Sequence, residues 1–358
     1  MNLKKQKSSR NGTISLVKFL ASLLILIYHG GKILIGSNKL IYSTTGYILV
    51  DLFFIISGYY FYKSILKIED KNIDIYKENI KIIITKLKTF LPYTIIIGIA
   101  MIILLYVNGN LLRKEAMMSI FNIFLIDMTG LSGYTLNGPT WYISAMLIVF
   151  FIELPIIYKN INNYSKYIAP IITMFGLGYI YKSFSSLNIF LTGWNGFFYN
   201  GLIRALVDIN IGIIIYEISK YLKNKINDYS ILKKIIIEII HVSLYLFIIY
   251  YVLLYKNEGD VDYFTYTVII LALLISFSES FFCNLLDNKI VQYLEKISLP
   301  IFINQFFFIN LLNIINKNGN YTYISTLLIY IFLTLIFSII EYHIITIIKS
   351  KKNRKYIS

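Results

Sequence analysis

Lys18 and His29 stand eleven residues apart in an otherwise apolar stretch, ISLVKFLASLLILIYHGG. At 100° per residue they return to within about 20° of one helix face, roughly 16 Å apart along the axis. Ser22 and Ile25 complete the stripe. A histidine can take up and return a proton near neutral pH, which is what general-base activation of a hydroxyl requires. The geometry puts a cation toward the inner end and an imidazole further out. The competing reading is that Lys18 snorkels to one interface while His29 sits at the other.

Other ionisable groups fall in apolar runs, where each is costly unless it faces a cavity or a partner. Arg204 and Asp208 are four apart and can pair on one helix face, fixing its register. Alternatively, Arg204 binds an anion, since a guanidinium suits phosphate and carboxylate groups. Asp51 and Glu153 are expected to orient His29 or to pair a lysine. Glu279, His241, Glu341 and His343 are read as structural or interfacial. No histidines and carboxylates have metal-ligand spacing, and the single cysteine, Cys283, excludes a disulfide framework or a cysteine metal cluster. Neither a metal nor a bound cofactor is expected.

The elements that must carry these residues are membrane-spanning helices. Of 358 residues 57% are hydrophobic and 15% charged, too little polar surface for a soluble domain of this length. Apolar runs of about twenty residues alternate with short lysine-rich stretches. Ten segments are expected to span, near 14–34, 46–66, 90–107, 141–158, 167–181, 199–219, 236–255, 263–282, 297–315 and 322–348. The start, MNLKKQKSSRNGT, is basic and lacks a small-residue cleavage pattern, so the first span is read as retained. A shorter apolar stretch, 115–127, is interrupted by Asn122 and Asp127. If it does not span, 25 of the lysines and arginines fall in cytoplasmic segments and seven outside; if it does, the bias largely vanishes. The expected fold is therefore an all-α polytopic bundle of about ten transmembrane helices with both termini cytoplasmic. Basic tails at 1–13 and 349–358 flank a membrane domain at 14–348. An extracytoplasmic segment at 108–140 holds a helix that lies against the membrane or re-enters it. The net charge of +15 belongs to this sidedness and not to nucleic-acid binding, because the basic residues lie between spans.

The first-span stretch resembles the opening helix of membrane-bound acyltransferase family 3, in which a basic residue, ten intervening residues and a histidine mark the first span. The second span, GYILVDLFFIISGYYFYKS, is similar to the family's acidic or small residue followed by Phe-Phe and Ser-Gly: here Asp51, Phe53, Phe54, Ser57 and Gly58. ITKLKTFLPYT resembles the arginine-rich approach to the third span, and NGPTWYISAM the motif containing Trp141. Lys18 stands where the family has arginine, keeping charge but not bidentate geometry. Thr89 stands where an arginine is common, and Gln305 where a late histidine often occurs.

The resemblance implies transfer of an acyl group, usually acetyl, from cytoplasmic acyl-CoA to a hydroxyl of a surface or lipid-linked glycan at the cytoplasmic membrane. His29 matches the family's general base, and Lys18 the residue that engages the donor. Lys86 and Lys88 match loosely the arginines that meet CoA phosphates, with Arg204 a further anion-binding candidate. Asp51, Ser57, Trp141, Glu153 and Asp208 are supporting candidates. Expected partners are acyl-CoA, the glycan acceptor and membrane lipids. The short stretch after the last span, without the esterase-like domain of many peptidoglycan-modifying relatives, favours a capsular, exopolysaccharide or lipid-linked acceptor. The alternative is a transporter or permease-like module for a small solute or glycan intermediate, with Arg204, Asp208 and Glu153 lining its path. Transporters often show repeated halves with broken helices, and the sequence has no internal repeat. A scaffold with degenerate catalytic residues ranks third, against the presence of His29.

Overall fold

A computed structural model describes residues 10–36, 45–69, 74–131, 134–189, 191, 193–196, 198–256, 259–278, 283, 285–316 and 322–355. In hydrocarbon every backbone polar group must be satisfied within its own segment, and the described chain meets that demand with helices. They are α1 (Gly12–Gly30), α2 (Leu49–Glu69), α3 (Ile75–Val107), α4 (Arg113–Ile123), α5 (Thr140–Lys159), α6 (Ala169–Phe184), α7 (Asn200–Asn227), α8 (Ile231–Leu254), α9 (Asp260–Phe277), α10 (Lys289–Ile315) and α11 (Tyr323–Lys355). A two-stranded antiparallel hairpin, β1 (Trp194–Asn195) and β2 (Phe198–Tyr199), precedes α7. Residues 1–9 of the basic N-terminal tail, residues 37–44 of the 35–45 connection and Glu279 lie outside the described residues.

Among the described residues eight helices are long and apolar enough to cross a membrane: α1, α2, α3, α5, α8, α9, α10 and α11. Two expected spans are not among these eight. The segment at 167–181 lies in α6, which continues without a break from a helical turn at Ile161–Asn163 and a π-helical turn at Tyr164–Ile168, so it is long enough to cross but begins with the polar run INNYSKY. The segment at 199–219 forms α7, which has 28 residues but carries Arg204, Asp208, Glu217 and Lys220. Its buried residues Ile203, Ala205, Val207, Ile209, Ile211 and Ile213 are spaced by two, so they point around the whole helix. From Gly201 to Ile215 protein encloses α7 on every side, and Arg204, Asp208 and Glu217 meet partners instead of lipid.

Close backbone approach makes this enclosure. A Cβ on Gly58 of α2 would lie 2.2 Å from the carbonyl oxygen of Ile209, and one on Gly212 of α7 would lie 2.2 Å from that of Ile55. Small residues at such crossings let helices pack without a hydrophobic driving force. The outer surface is apolar instead: Ile239 and Leu246 on α8, and Leu328 and Phe332 on α11, are all at least 60% exposed.

Helix α4 folds back along α3. The Ile123 carbonyl accepts a hydrogen bond from Thr94 Oγ1 at 2.9 Å, thirteen residues or roughly 20 Å before the end of α3. Asn122 then staples the connection to α5: its Oδ1 accepts from the Asn137 amide at 2.9 Å and its Nδ2 donates to Asp127 at 3.2 Å. Burial pushes the Asp127 carboxyl up to about 6.

Candidate active site

Two helices distant in sequence bring the chemistry together. On α1, Ser15 Oγ donates to Glu295 Oε2 at 2.7 Å and Lys18 Nζ contacts Glu295 Oε1 at 2.9 Å; further along, His29 Nδ1 lies 2.9 Å from Gln305 Oε1. Residue numbers rise together on both helices, so α1 and α10 run parallel.

The amide of Gln305 settles which nitrogen of His29 carries the proton. Gln305 Nε2 donates to the Phe302 carbonyl at 2.7 Å. A carbonyl only accepts, so the amide oxygen is the atom that faces His29, and it only accepts as well. Nδ1 of His29 therefore donates, and Nε2 is left with its lone pair. The imidazole is further held by Phe306, edge-on at 5.0 Å between centroids, and by Tyr28 at 5.0 Å. It lines a cavity of about 180 Å³ together with Trp141, Pro139, Phe302 and Arg204.

Arg204 enters this cavity already paired, but not with the residue expected from helical spacing. Its Nε and Nη2 bind the two oxygens of Asp51 at 2.6 and 2.9 Å, and Nη2 also donates to the Tyr47 carbonyl at 2.9 Å. Both side chains are at most 4% exposed. The guanidinium lies over the Trp141 ring at 5.9 Å. Asp208 instead accepts from the Tyr266 hydroxyl. The planar fork of an arginine matches a carboxylate on a neighbouring helix better than one on its own, where the backbone fixes the angle of approach. Asp51 thus orients Arg204; it neither orients His29 nor pairs a lysine.

The cavity rim is pinned through Asp262. Its Oδ1 accepts from the hydroxyls of Tyr47, at 2.8 Å, and Tyr251. Its Oδ2 accepts from Ser186 Oγ at 2.8 Å and the Leu187 amide at 3.1 Å. That fixes the segment from which Asn188, Ile189 and Leu191 line the opening.

The remaining candidates divide into three places. Lys18 and Lys86 share the N-terminal end of α1, Lys18 beside Tyr60 at 5.3 Å and Lys86 over Phe150 at 6.0 Å, and each feels the other's charge. Lys88, two residues on from Lys86, is exposed on another face of α3. Ser57 is hydrogen-bonded to the Tyr142 hydroxyl at 3.0 Å and so holds α2 to α5 beside Trp141. Glu153 lies apart: its Oε1 accepts from Tyr164 at 2.7 Å and Asn210 at 2.5 Å, and it meets neither His29 nor a lysine.

The sequence model of an acyltransferase family, described as Acyltransferase domain, matches residues 11–343, nearly the whole chain. The chain belongs to this family. It is accordingly a multi-pass membrane acyltransferase. No curated protein and no solved structure matches it.

Two residues that contact Lys18 and His29 carry little signal in the sequence. Gln305 stood out only as a departure from a histidine, yet it is the hydrogen-bond partner of His29. Glu295 was not singled out at all. A signal existed: Glu295 and Gln305 are ten apart, close to the eleven that separate Lys18 and His29.

Proposed function

We propose that this membrane acyltransferase moves an acetyl group from acetyl-CoA to a hydroxyl of a cell-surface or lipid-linked polysaccharide, with His29 as general base. The supporting observation is the Gln305 contact, which leaves Nε2 of His29 as the proton acceptor at the cavity. The acceptor hydroxyl attacks the thioester carbonyl and its proton passes to Nε2. Collapse of the tetrahedral intermediate expels the CoA thiolate, which takes the proton back from the imidazolium. Atoms and charge then balance, and the imidazole returns to its starting tautomer.

The donor approaches from the end of α1 that carries Lys18, beside Lys86 of α3, an end taken as cytoplasmic along with both termini and ten crossings by the lysine bias. Lys18 is matched by Glu295, whereas Lys86 has no carboxylate within ion-pair distance among the described residues. Lys86 is thus the stronger contact for a CoA phosphate, and Lys88 adds positive charge nearby. Arg204, neutralised by Asp51, serves the acyl end of the donor beside His29. The membrane concerned is the cytoplasmic one.

Purified protein in detergent, given acetyl-CoA labelled in its acetyl group and a panel of glycan acceptors, tests the reading. Label transferred to an alkali-labile ester on a glycan is the expected result. Wild-type protein that transfers no label to any glycan, while remaining folded, overturns it.

A further inference from the structure

The face of α1 turned away from His29 borders a second and larger cavity, a groove of about 270 Å³ between α1 and α8. Leu16, Leu20 and Leu24 form one wall and Val242, Leu246 and Ile249 the other. Leu20 and His29 are nine residues apart, half a turn out of phase, so the groove has no part in acyl transfer. Its surroundings are hydrocarbon: Ile235, Ile239 and Tyr250 on α8 are each more than half exposed.

A polar cluster closes the floor. His241 Nε2 lies 2.8 Å from Ser276 Oγ, its Nδ1 lies 3.2 Å from Glu238, and the Tyr245 hydroxyl lies 2.8 Å from Ser276 Oγ. The order Ser, His, Glu is that of a nucleophile set. Ser276 is fully buried, however, and the groups satisfy one another, so the cluster fastens α8 to α9 and sets the groove wall.

One polar group is left over. Thr13 lines the groove, is 5% exposed, and its Oγ1 has no hydrogen-bond partner. It is the second residue of α1. From Thr13 to Leu24 the groove runs along eleven residues, roughly 16 Å, and half of a ~30 Å hydrocarbon core is ~15 Å. The groove is thus as long as one leaflet is thick, and a chain filling it would bring its ester group to the unused hydroxyl at its end. Cations gather at the same end: Arg10 just before α1, and Lys233 and Lys234 in the first turn of α8. Lys234 is two turns below His241 on the same face.

We propose that this groove binds one acyl chain of an anionic glycerophospholipid from the leaflet at the N-terminal end of α1. Its ester carbonyl accepts a hydrogen bond from Thr13 Oγ1, and its phosphate sits at the level of Arg10, Lys233 and Lys234. The chain supplies the apolar contacts that the Leu–Val–Ile walls lack, and the hydroxyl finds the acceptor it is missing.

Native mass spectrometry of protein exchanged into detergent containing phosphatidylglycerol or phosphatidylcholine tests this. Wild type is expected to keep one phosphatidylglycerol and to discriminate against phosphatidylcholine. Leu20→Trp and Leu246→Trp, which fill the groove, are expected to lower retention at least tenfold with helical content unchanged. Thr13→Val, nearly isosteric, lowers it about fivefold, the worth of one hydrogen bond. Retention by both tryptophan variants at the wild-type level overturns the proposal. So does equal retention of phosphatidylcholine, or full retention by Thr13→Val.

Discussion

Helices α1 and α10 are joined by side chains at two levels, and the two joints are built from different chemistry. At the N-terminal level Lys18 meets Glu295, a charged pair with each side chain 24% exposed. About ten residues further along, His29 meets Gln305, a pair with no formal charge in a narrow cavity. Both joints hold the same helices in the same parallel register, so register alone does not explain the difference. A carboxylate could fix the tautomer of His29 too, but it would bring a formal charge into the narrow cavity; a neutral amide fixes the tautomer and leaves Nε2 free without one. At the other level, where a highly charged donor is to be handled, ionic groups near water cost little. Each joint matches the task proposed for its end.

The sharpest way to break the comparison is to remove the base. His29→Ala is expected to lower kcat for acetyl transfer by about 10²–10⁴-fold, the usual contribution of general acid–base catalysis. The KM for acetyl-CoA should stay within twofold, because the proposed place of the donor's phosphates is the other joint. Steady-state kinetics with labelled acetyl-CoA measures both. Retained kcat in this variant would remove His29 from the chemistry.

Asp51→Asn sharpens the contrast between buried and half-exposed ion pairs. Arg204 would be left with an uncompensated charge where its side chain is 4% exposed. Breaking a buried pair from one side costs about 3–5 kcal/mol. Thermal unfolding in detergent should show a large loss for Asp51→Asn and little for Glu295→Gln, whose pair belongs to the class worth about 0–1 kcal/mol. Equal losses would mean that exposure does not separate the two pairs.

Gln305 is a positioning residue, so its removal should act on kcat alone. Gln305→Ala loses the hydrogen bond that selects the tautomer, and about a tenfold drop in kcat is expected with KM for the donor unchanged. Gln305→His should recover most of it, since a second imidazole can accept from Nδ1 in the same place. Failure of that rescue, with the fold intact, would show that the amide does more than accept one hydrogen bond.

His29 and Lys18 were legible in the sequence because ionisable groups are conspicuous in an apolar helix and the helix repeat relates them. Gln305 was not, since a neutral amide in a span carries no such signal and its meaning comes from a helix 276 residues away. Arg204 shows the same limit. Sequence supplies local geometry, which selected Asp208 at four residues' distance, while the fold supplied Asp51 from α2. The helical bundle, α7 included, was legible from hydropathy, but how α7 accommodates its charges needed the structure. Its charges make it a poor membrane helix by composition, and only the Gly58 and Gly212 crossings show how deeply protein surrounds it.

The smallest expected effect tests the charged joint directly. Lys18 and Glu295 cancel, so the donor meets a nearly neutral pair with Lys86 beside it. Glu295→Gln removes the negative charge and should lower the KM for acetyl-CoA, while Lys18→Gln should raise it, with kcat unchanged in both. A unit charge about 10 Å from a phosphate at an effective dielectric near 40 is worth about 0.8 kcal/mol, or about fourfold in KM. The two changes are therefore opposite in sign and similar in size, and both should shrink as salt is raised from 0.02 to about 0.5 M. If instead both variants raise KM, the pair acts by holding α1 to α10, and its charge is incidental to the donor.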